Sequence, residues 1–231
     1  MKNLTKLFVA VVALFACACT TDATTDEAIQ LGNGNGVTEL TLSLDYATKT
    51  QLTDKVGDLY PLVWSEGDQI SVNGIASSAL TAQQAGKDSA TFSFGGVLAT
   101  PYQIAYPAAN EGEVLFASQQ THTANTTFGN GVATMYGYSE NGADITLNHL
   151  TGVLKIGVTG EGEILTQAQI STIDRAPIAG AFDIEFATGE LKATESSKAV
   201  INYSFGEGVT LSSTPTYLHI AVPAIPATFT R

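Results

Sequence analysis

Beyond residue 19 the chain contains no cysteine. No disulfide framework and no thiolate metal site can hold the bulk of its 231 residues, so stability has to come from a packed core. Positive charge is scarce: 10 Lys and Arg stand against 22 Asp and Glu, giving a net charge of −12. There is no Lys/Arg cluster. Such a surface repels nucleic-acid phosphates and anionic lipid head groups, which argues against nucleic acid as a partner. Charged residues of both signs make up only 14% of the chain, below the usual quarter or so. Gly, Thr, Ser and Ala take their place, a mixture suited to a secreted β-protein with many turns. After residue 16 no apolar run is long enough to span a bilayer, which takes roughly 20 residues.

Catalytic patterns are also missing. There is no G-x-S-x-G, no H-E-x-x-H and no G-x-x-x-x-G-K-[ST]. The three histidines, His122, His149 and His219, sit in unrelated segments and read as structural or solvated. Glu66 and Asp68 flank Gly67 in an expected turn, and turn formation accounts for them without acid–base chemistry. Residues 144–149 and 160–163 lack the ligand spacing of an EF-hand. Trp64, the single tryptophan, could be a sugar-stacking platform, but its apolar neighbours favour core burial. The reading is therefore a non-enzyme with no catalytic residues, no metal site and no cofactor.

What is present begins at the N-terminus. Lys2 and Lys6 precede an unbroken apolar run over residues 7–16, and the run stops at Cys17. A positive start, a short apolar centre and small residues at the end are the layout of a secretory signal peptide. Cys17 and Cys19 are two positions apart, the wrong spacing for a C-x-x-C redox pair. A disulfide between them would close a tiny strained loop. "LFAC" resembles a bacterial lipobox, with Leu14 and Ala16 ahead of Cys17 and Phe15 as the departure; Cys19 is a poorer second match. That resemblance implies cleavage before Cys17 and a diacylglycerol on its sulfur, an anchor made stable by several acyl chains. The alternative is an ordinary signal peptide with an incidental cysteine. Residues 1–16 are thus expected to be the signal, and residues 17–36, small, polar and acidic with two Asn-Gly steps, a flexible tether.

Order is expected from residue 37. Leu40, Leu42, Leu44 and Tyr46 alternate with Thr41, Ser43 and Asp45, so this strand has one buried and one wet face. Leu62 and Trp64, then a turn at 65–68, then Ile70 and Val72 read as strand, turn, strand. Further strands are expected at 90–94, 102–106, 113–117, 131–136, 144–147, 152–159, 170–173, 181–186, 199–205, 209–211 and 217–222. Only residues 77–90 and 164–170 are expected to hold a helical turn or two. Many short strands with regular turn signals give an all-β class, an antiparallel β-sandwich.

The order of the segments carries a family resemblance. A lipobox and tether are followed by "LTLSLDYATKT", with Thr48-Lys49-Thr50, and by "VWSEGDQISV" at 63–72. "IAYPA" at 104–108, "LNHLTGVLKIGVTG" at 147–160 and "TPTYLHIAVPA" at 214–224 follow. Together they resemble the fimbrillin-like (major/minor fimbrillin, Mfa-like) surface lipoproteins of Bacteroidales. The resemblance implies two transthyretin-like β-sandwiches in tandem, over residues 37–160 and 161–231. The second is expected to be incomplete or a shortened form, because members usually continue for further strands. It also implies a lipid-anchored pilus subunit, anchor or tip at the outer membrane surface, touching the membrane through its lipid alone. Its partners would be other fimbrial subunits joined by strand addition, with a host or glycan ligand as a further candidate. In polymerising members a protease removes the first strand, typically after an arginine. Here the nearest basic residues are Lys49 and Lys55, the candidate processing sites. "DSA" at 88–90 is similar to a short O-glycosylation motif of the same bacteria, with Ser89 as acceptor. The alternative role is a surface glycan-binding lipoprotein that does not polymerise.

Overall fold

The computed structural model describes residues 37–44, 63–123, 131–142 and 145–224. Among these the regular elements are all strands: β1 (Val37–Ser43), β2 (Ser71–Val72), β3 (Ile75–Ala76), β4 (Ser89–Gly95), β5 (Tyr102–Tyr106), β6 (Glu113–Phe116), β7 (Gln119–Thr121) and β8 (Met135–Ser139). β9 (Asn148–His149), β10 (Thr151–Val158), β11 (Ile164–Ser171), β12 (Ala179–Glu185), β13 (Glu190–Lys198), β14 (Val200–Thr210) and β15 (Thr216–Pro223) follow. The all-β class is as the sequence pattern indicates. Pairing is antiparallel except between β14 and β7.

The first half is layered. The β1–β4 pair covers one face of the five-stranded sheet β3-β2-β5-β8-β9. The core between them includes Leu40, Leu42, Phe92, Phe94, Trp64, Ile70 and Ile104. The sheet β13-β12-β6 lies on the opposite side, with Phe182 and Val114 buried together with Ala105 of β5 and packed by Tyr136 of β8. Thus Ile104 faces one core and its neighbour Ala105 the other. This is why "YQIAY" lacks a clean alternation: a strand covered on both faces reads as a continuous apolar run.

The β2–β3 connection is Asn73-Gly74, with φ of 50° and 76°. Two successive positive φ values are what a type I′ hairpin turn demands, and Asn-Gly is its preferred pair. The turn at 65–68 also forms: Asp68 N–H donates to the Ser65 carbonyl at 3.1 Å, with Gly67 at φ 86°.

The second half is a sandwich of β10-β15 against β11-β14-β7. Its core holds Ile201, Tyr203, Phe205, Leu218 and Ile220. Residue 160 falls in the link between β10 and β11, and pairing crosses it: β6 joins β12, β7 joins β14 and β10 joins β15.

Several expected elements need correction. Residues 164–170 are strand, not helical turn, because β11 pairs along its length with β14. Residues 77–90 hold one turn, with Gln84 and Ala85 N–H groups on the Thr81 carbonyl, before β4 begins. The strand expected at 131–136 is shifted to Met135–Ser139. Of the strand expected at 144–147, residues 145–147 are not strand, and the short β9 lies at Asn148–His149. β13 carries no apolar alternation, since most of its residues are exposed and its backbone ladder to β12 holds it.

Candidate functional site

Among the described residues β1 is bound by backbone to one neighbour. Seven successive residues, Val37 to Ser43, pair with Gly95 to Ser89 without a register shift. Among the described residues no strand covers its other edge. Leu44 N–H continues the ladder to the Asp88 carbonyl at 2.7 Å. The strand's inner face is closed to solvent: Thr38, Leu40, Leu42 and Leu44 are all buried. Thr38 Oγ1 donates to the Gly96 carbonyl at 2.7 Å, satisfying the one polar group on that face. On the outer face Thr41 and Thr91 hydroxyls meet at 2.7 Å. Three buried leucines contribute about 1.5–3 kcal/mol each, opposed by the entropy of ordering the strand. Without β1, Phe92 and Phe94 on β4 and part of the Trp64 cluster would lose their cover.

The wall facing this strand is aromatic. Trp64 is fully buried and stands edge-on to Phe92 at 4.9 Å and to Tyr106 at 5.4 Å. It is core and not a sugar platform. Asp68 is buried beneath it: Oδ2 accepts the Ser65 N–H at 2.7 Å, and Oδ1 accepts the Tyr106 hydroxyl at 2.7 Å. Burial pushes the Asp68 carboxyl above its ordinary range, and these two donors pull it back in part. Burial, and then the neighbouring carboxylate, push the Tyr106 phenol up. The carboxylate fixes the 65–68 turn and ties it to β5. Glu66 is exposed and does not join it. The reading of Asp68 as a turn residue holds, but its buried phenol partner is 38 positions away and leaves no local signal.

Ser89 is half-buried at the first position of β4, opposite Ser43 of β1. Cys17, Lys49 and Lys55 lie outside the described residues. The histidines do not form one site. His149 is on β9, whereas His122 and His219 belong to the second sandwich, where His122 stacks on Phe205 at 4.9 Å. Among the described residues no three His, Cys, Asp or Glu side chains converge to hold a metal ion. A cleft of about 560 Å³ opens beside Tyr136, Asn148, Thr188 and Glu190.

Comparison with family models, with curated proteins and with solved structures finds no match. The geometry of β1 therefore carries the functional argument by itself.

Two of the histidines supply a pH prediction. Burial lowers the His122 pKa, and burial, then Lys155 and His122, lower that of His219. Both imidazoles take a proton less readily in the fold than in the unfolded chain, where they take one below about pH 6.5. The unfolded state then binds more protons, so this contribution to stability is present above about pH 6.5 and is lost as pH falls through it. The urea midpoint should drop between pH 7.5 and pH 5.5. It should drop less in His122→Gln/His219→Gln, which removes these two groups and leaves the carboxylates unchanged.

Proposed function

We propose that this chain is a lipid-anchored surface protein of the fimbrillin-like class, a pilus subunit, anchor or tip, that joins its neighbours by exchange of its first strand. The observation that carries the reading is the attachment of β1. Its inner face is buried, yet among the described residues it pairs with a single neighbour. A strand bound in this way leaves, when displaced, a row of unpaired backbone groups above apolar pockets, and an incoming strand satisfies both. The transthyretin-like topology belongs to the same reading, as do the outer-membrane location and the anchor on Cys17.

The polar segment carrying Lys49 and Lys55 follows β1 in the sequence. Polar segments of this kind are preferred sites of nicking. Brief trypsin treatment of the native protein should cut first after Lys49 or Lys55. A peptide of residues 37–46 should then protect the nicked body from further digestion. Resistance of both lysines, with cleavage after Arg175 or Lys192 instead, would count against strand exchange. Labelling with an alkyne fatty acid should mark the wild type and not Cys17→Ser. An intact mass free of added sugar would remove Ser89 as a glycosylation site.

A further inference from the structure

Among the described residues the second sandwich is closed along one side and open along the other. On the closed side β7 pairs with Asn202–Ser204 of β14. From there the buried Gln120 reaches across to the other sheet. Its Oε1 accepts the Ala221 N–H at 2.9 Å, and its Nε2 donates to the Ala221 carbonyl at 2.7 Å. One carboxamide thus does for the β15 edge what a neighbouring strand would do. Behind it Leu218, Ile220 and Val222 are buried.

The opposite side has no such cover. β10 pairs with β15 through eight residues without a shift, and among the described residues no strand pairs with its other edge. The direction of its backbone groups follows from the ladder. Ala224 N–H donates to the Leu150 carbonyl, which places Gly152, Leu154 and Ile156 in the hydrogen-bonded pairs with β15. The N–H and C=O groups of Val153, Lys155 and Gly157 therefore point away from β15. The Gln120–Ala221 bonds fix the same alternation from the partner strand. The core-facing side chains of β10, Leu154, Ile156 and Val158, are only half-buried, although Ile220 and Leu218 of β15, beside the first two, are closed to solvent. Leu165 and Ala168 are half-buried too, on β11, at the end of its sheet remote from β7. Among the described residues an open apolar slot thus lies beneath a strand edge without a neighbour.

Of the two edges on this side, β11 carries a bulge between Leu165 and Gln167. Bulges hinder edge pairing. β10 has none. On its outer face Lys155 is exposed, its Nζ 4.2 Å above the ring of Tyr217. An added strand would place a side chain directly beside this lysine, where opposite charge is favoured. A second β10 in antiparallel register centred on Lys155 would instead set two lysines side by side. We propose that the β10 edge and the slot beneath it accept an extended segment of another protein chain. That segment turns alternate apolar side chains inward and carries a carboxylate beside Lys155. This site is separate from the β1 groove and does not depend on strand exchange there.

The test uses the full, uncut chain and a synthetic peptide, VTELTLSL, which alternates apolar residues and carries one outward glutamate. By amide hydrogen exchange, Val153, Lys155 and Gly157 should exchange fast in the free protein and Leu154 and Ile156 slowly. The peptide should slow the first three by about tenfold or more. Changing its glutamate to lysine should abolish the effect, and Lys155→Glu should restore it. Val153→Pro, which blocks an outward N–H and is tolerated on an edge, should remove binding without changing the melting temperature. The proposal is overturned if the peptide leaves the three amides unchanged, or speeds exchange of the β1 amides instead, since it has then displaced β1. It is equally overturned if the three amides are slow in the free chain. In that case faster exchange on deleting residues 225–231 would identify the chain's own segment as occupant. Slowing that grows with protein concentration would identify a second copy.

Discussion

Replacing Leu40 and Leu42 together by alanine is expected to free the first strand while the second sandwich stays folded. Both side chains are buried, at 1% and 3% exposure, in one core with Phe92, Phe94 and Trp64. A buried Leu→Ala change costs about 2–5 kcal/mol. The two sites are neighbours on one face, so their costs need not add. Even the lower sum is a large share of the roughly 5–15 kcal/mol that stabilises a typical domain. The loss falls on a strand that, among the described residues, has a single backbone ladder. Exchange should therefore accelerate first in β1 and in its partner β4, with protection retained in β10, β14 and β15. A peptide of residues 37–46 added in trans should restore protection to β4. Thr41→Ala, on the outer face, removes only the contact with Thr91 and should cost less than about 1 kcal/mol. Uniform loss of protection across both halves would mean that β1 is not separable, and strand exchange would fail with it.

The second large effect is expected at Trp64. Its ring is fully buried between Phe92 of β4 and Tyr106 of β5, so it joins the two layers that β1 helps to close. Trp64→Ala should lower stability by about 3–5 kcal/mol, from lost transfer energy and the cavity left behind. The indole Nε1 is buried and finds no acceptor among the described residues. Trp64→Phe keeps an aromatic ring and removes that orphaned donor, so it should cost distinctly less. Tyr106→Phe probes the layer beneath by deleting the hydroxyl on Asp68 Oδ1. A buried carboxylate left short of a donor costs about 1–3 kcal/mol or more. Urea unfolding followed by circular dichroism should rank the three as Trp64→Ala first, Tyr106→Phe next and Trp64→Phe last. In the wild type, Trp64 emission reports the first half of the chain alone.

The two halves of the molecule differ in how plainly their sequence speaks. In β1 the alternation of Leu40, Leu42 and Leu44 marks the buried face directly, because one side meets core and the other water. β5 is equally visible at Tyr102–Tyr106, but its residues face two cores, and the second core needs β12, about eighty positions later. β13 is nearly silent, for its backbone ladder holds a polar strand and no periodic apolar face is required. β11 reads as helix-forming over "ILTQAQI" because its apolar spacing is disturbed by the bulge after Leu165. Pairing with β14 overrides that local preference.

What the sequence determined by itself is the all-β class, the main strands, the burial of Trp64, the turn at Asp68 and the inner face of β1. Each follows from residues close together in the chain, through period-two alternation or through turn chemistry. Only the tertiary structure decided that, among the described residues, β1 has a single backbone neighbour, that the Tyr106 hydroxyl donates to Asp68, and that Gln120 seals one side of the second sandwich while no described strand pairs with the outer edge of β10. These are properties of edges and of distant partners. Gln120 and Ala221 are 101 positions apart, and no local pattern records which strand will have a neighbour and which will not. Side-chain periodicity tells a strand which face is buried; the backbone hydrogen bonds at its edges are satisfied or left open only when the sheets assemble.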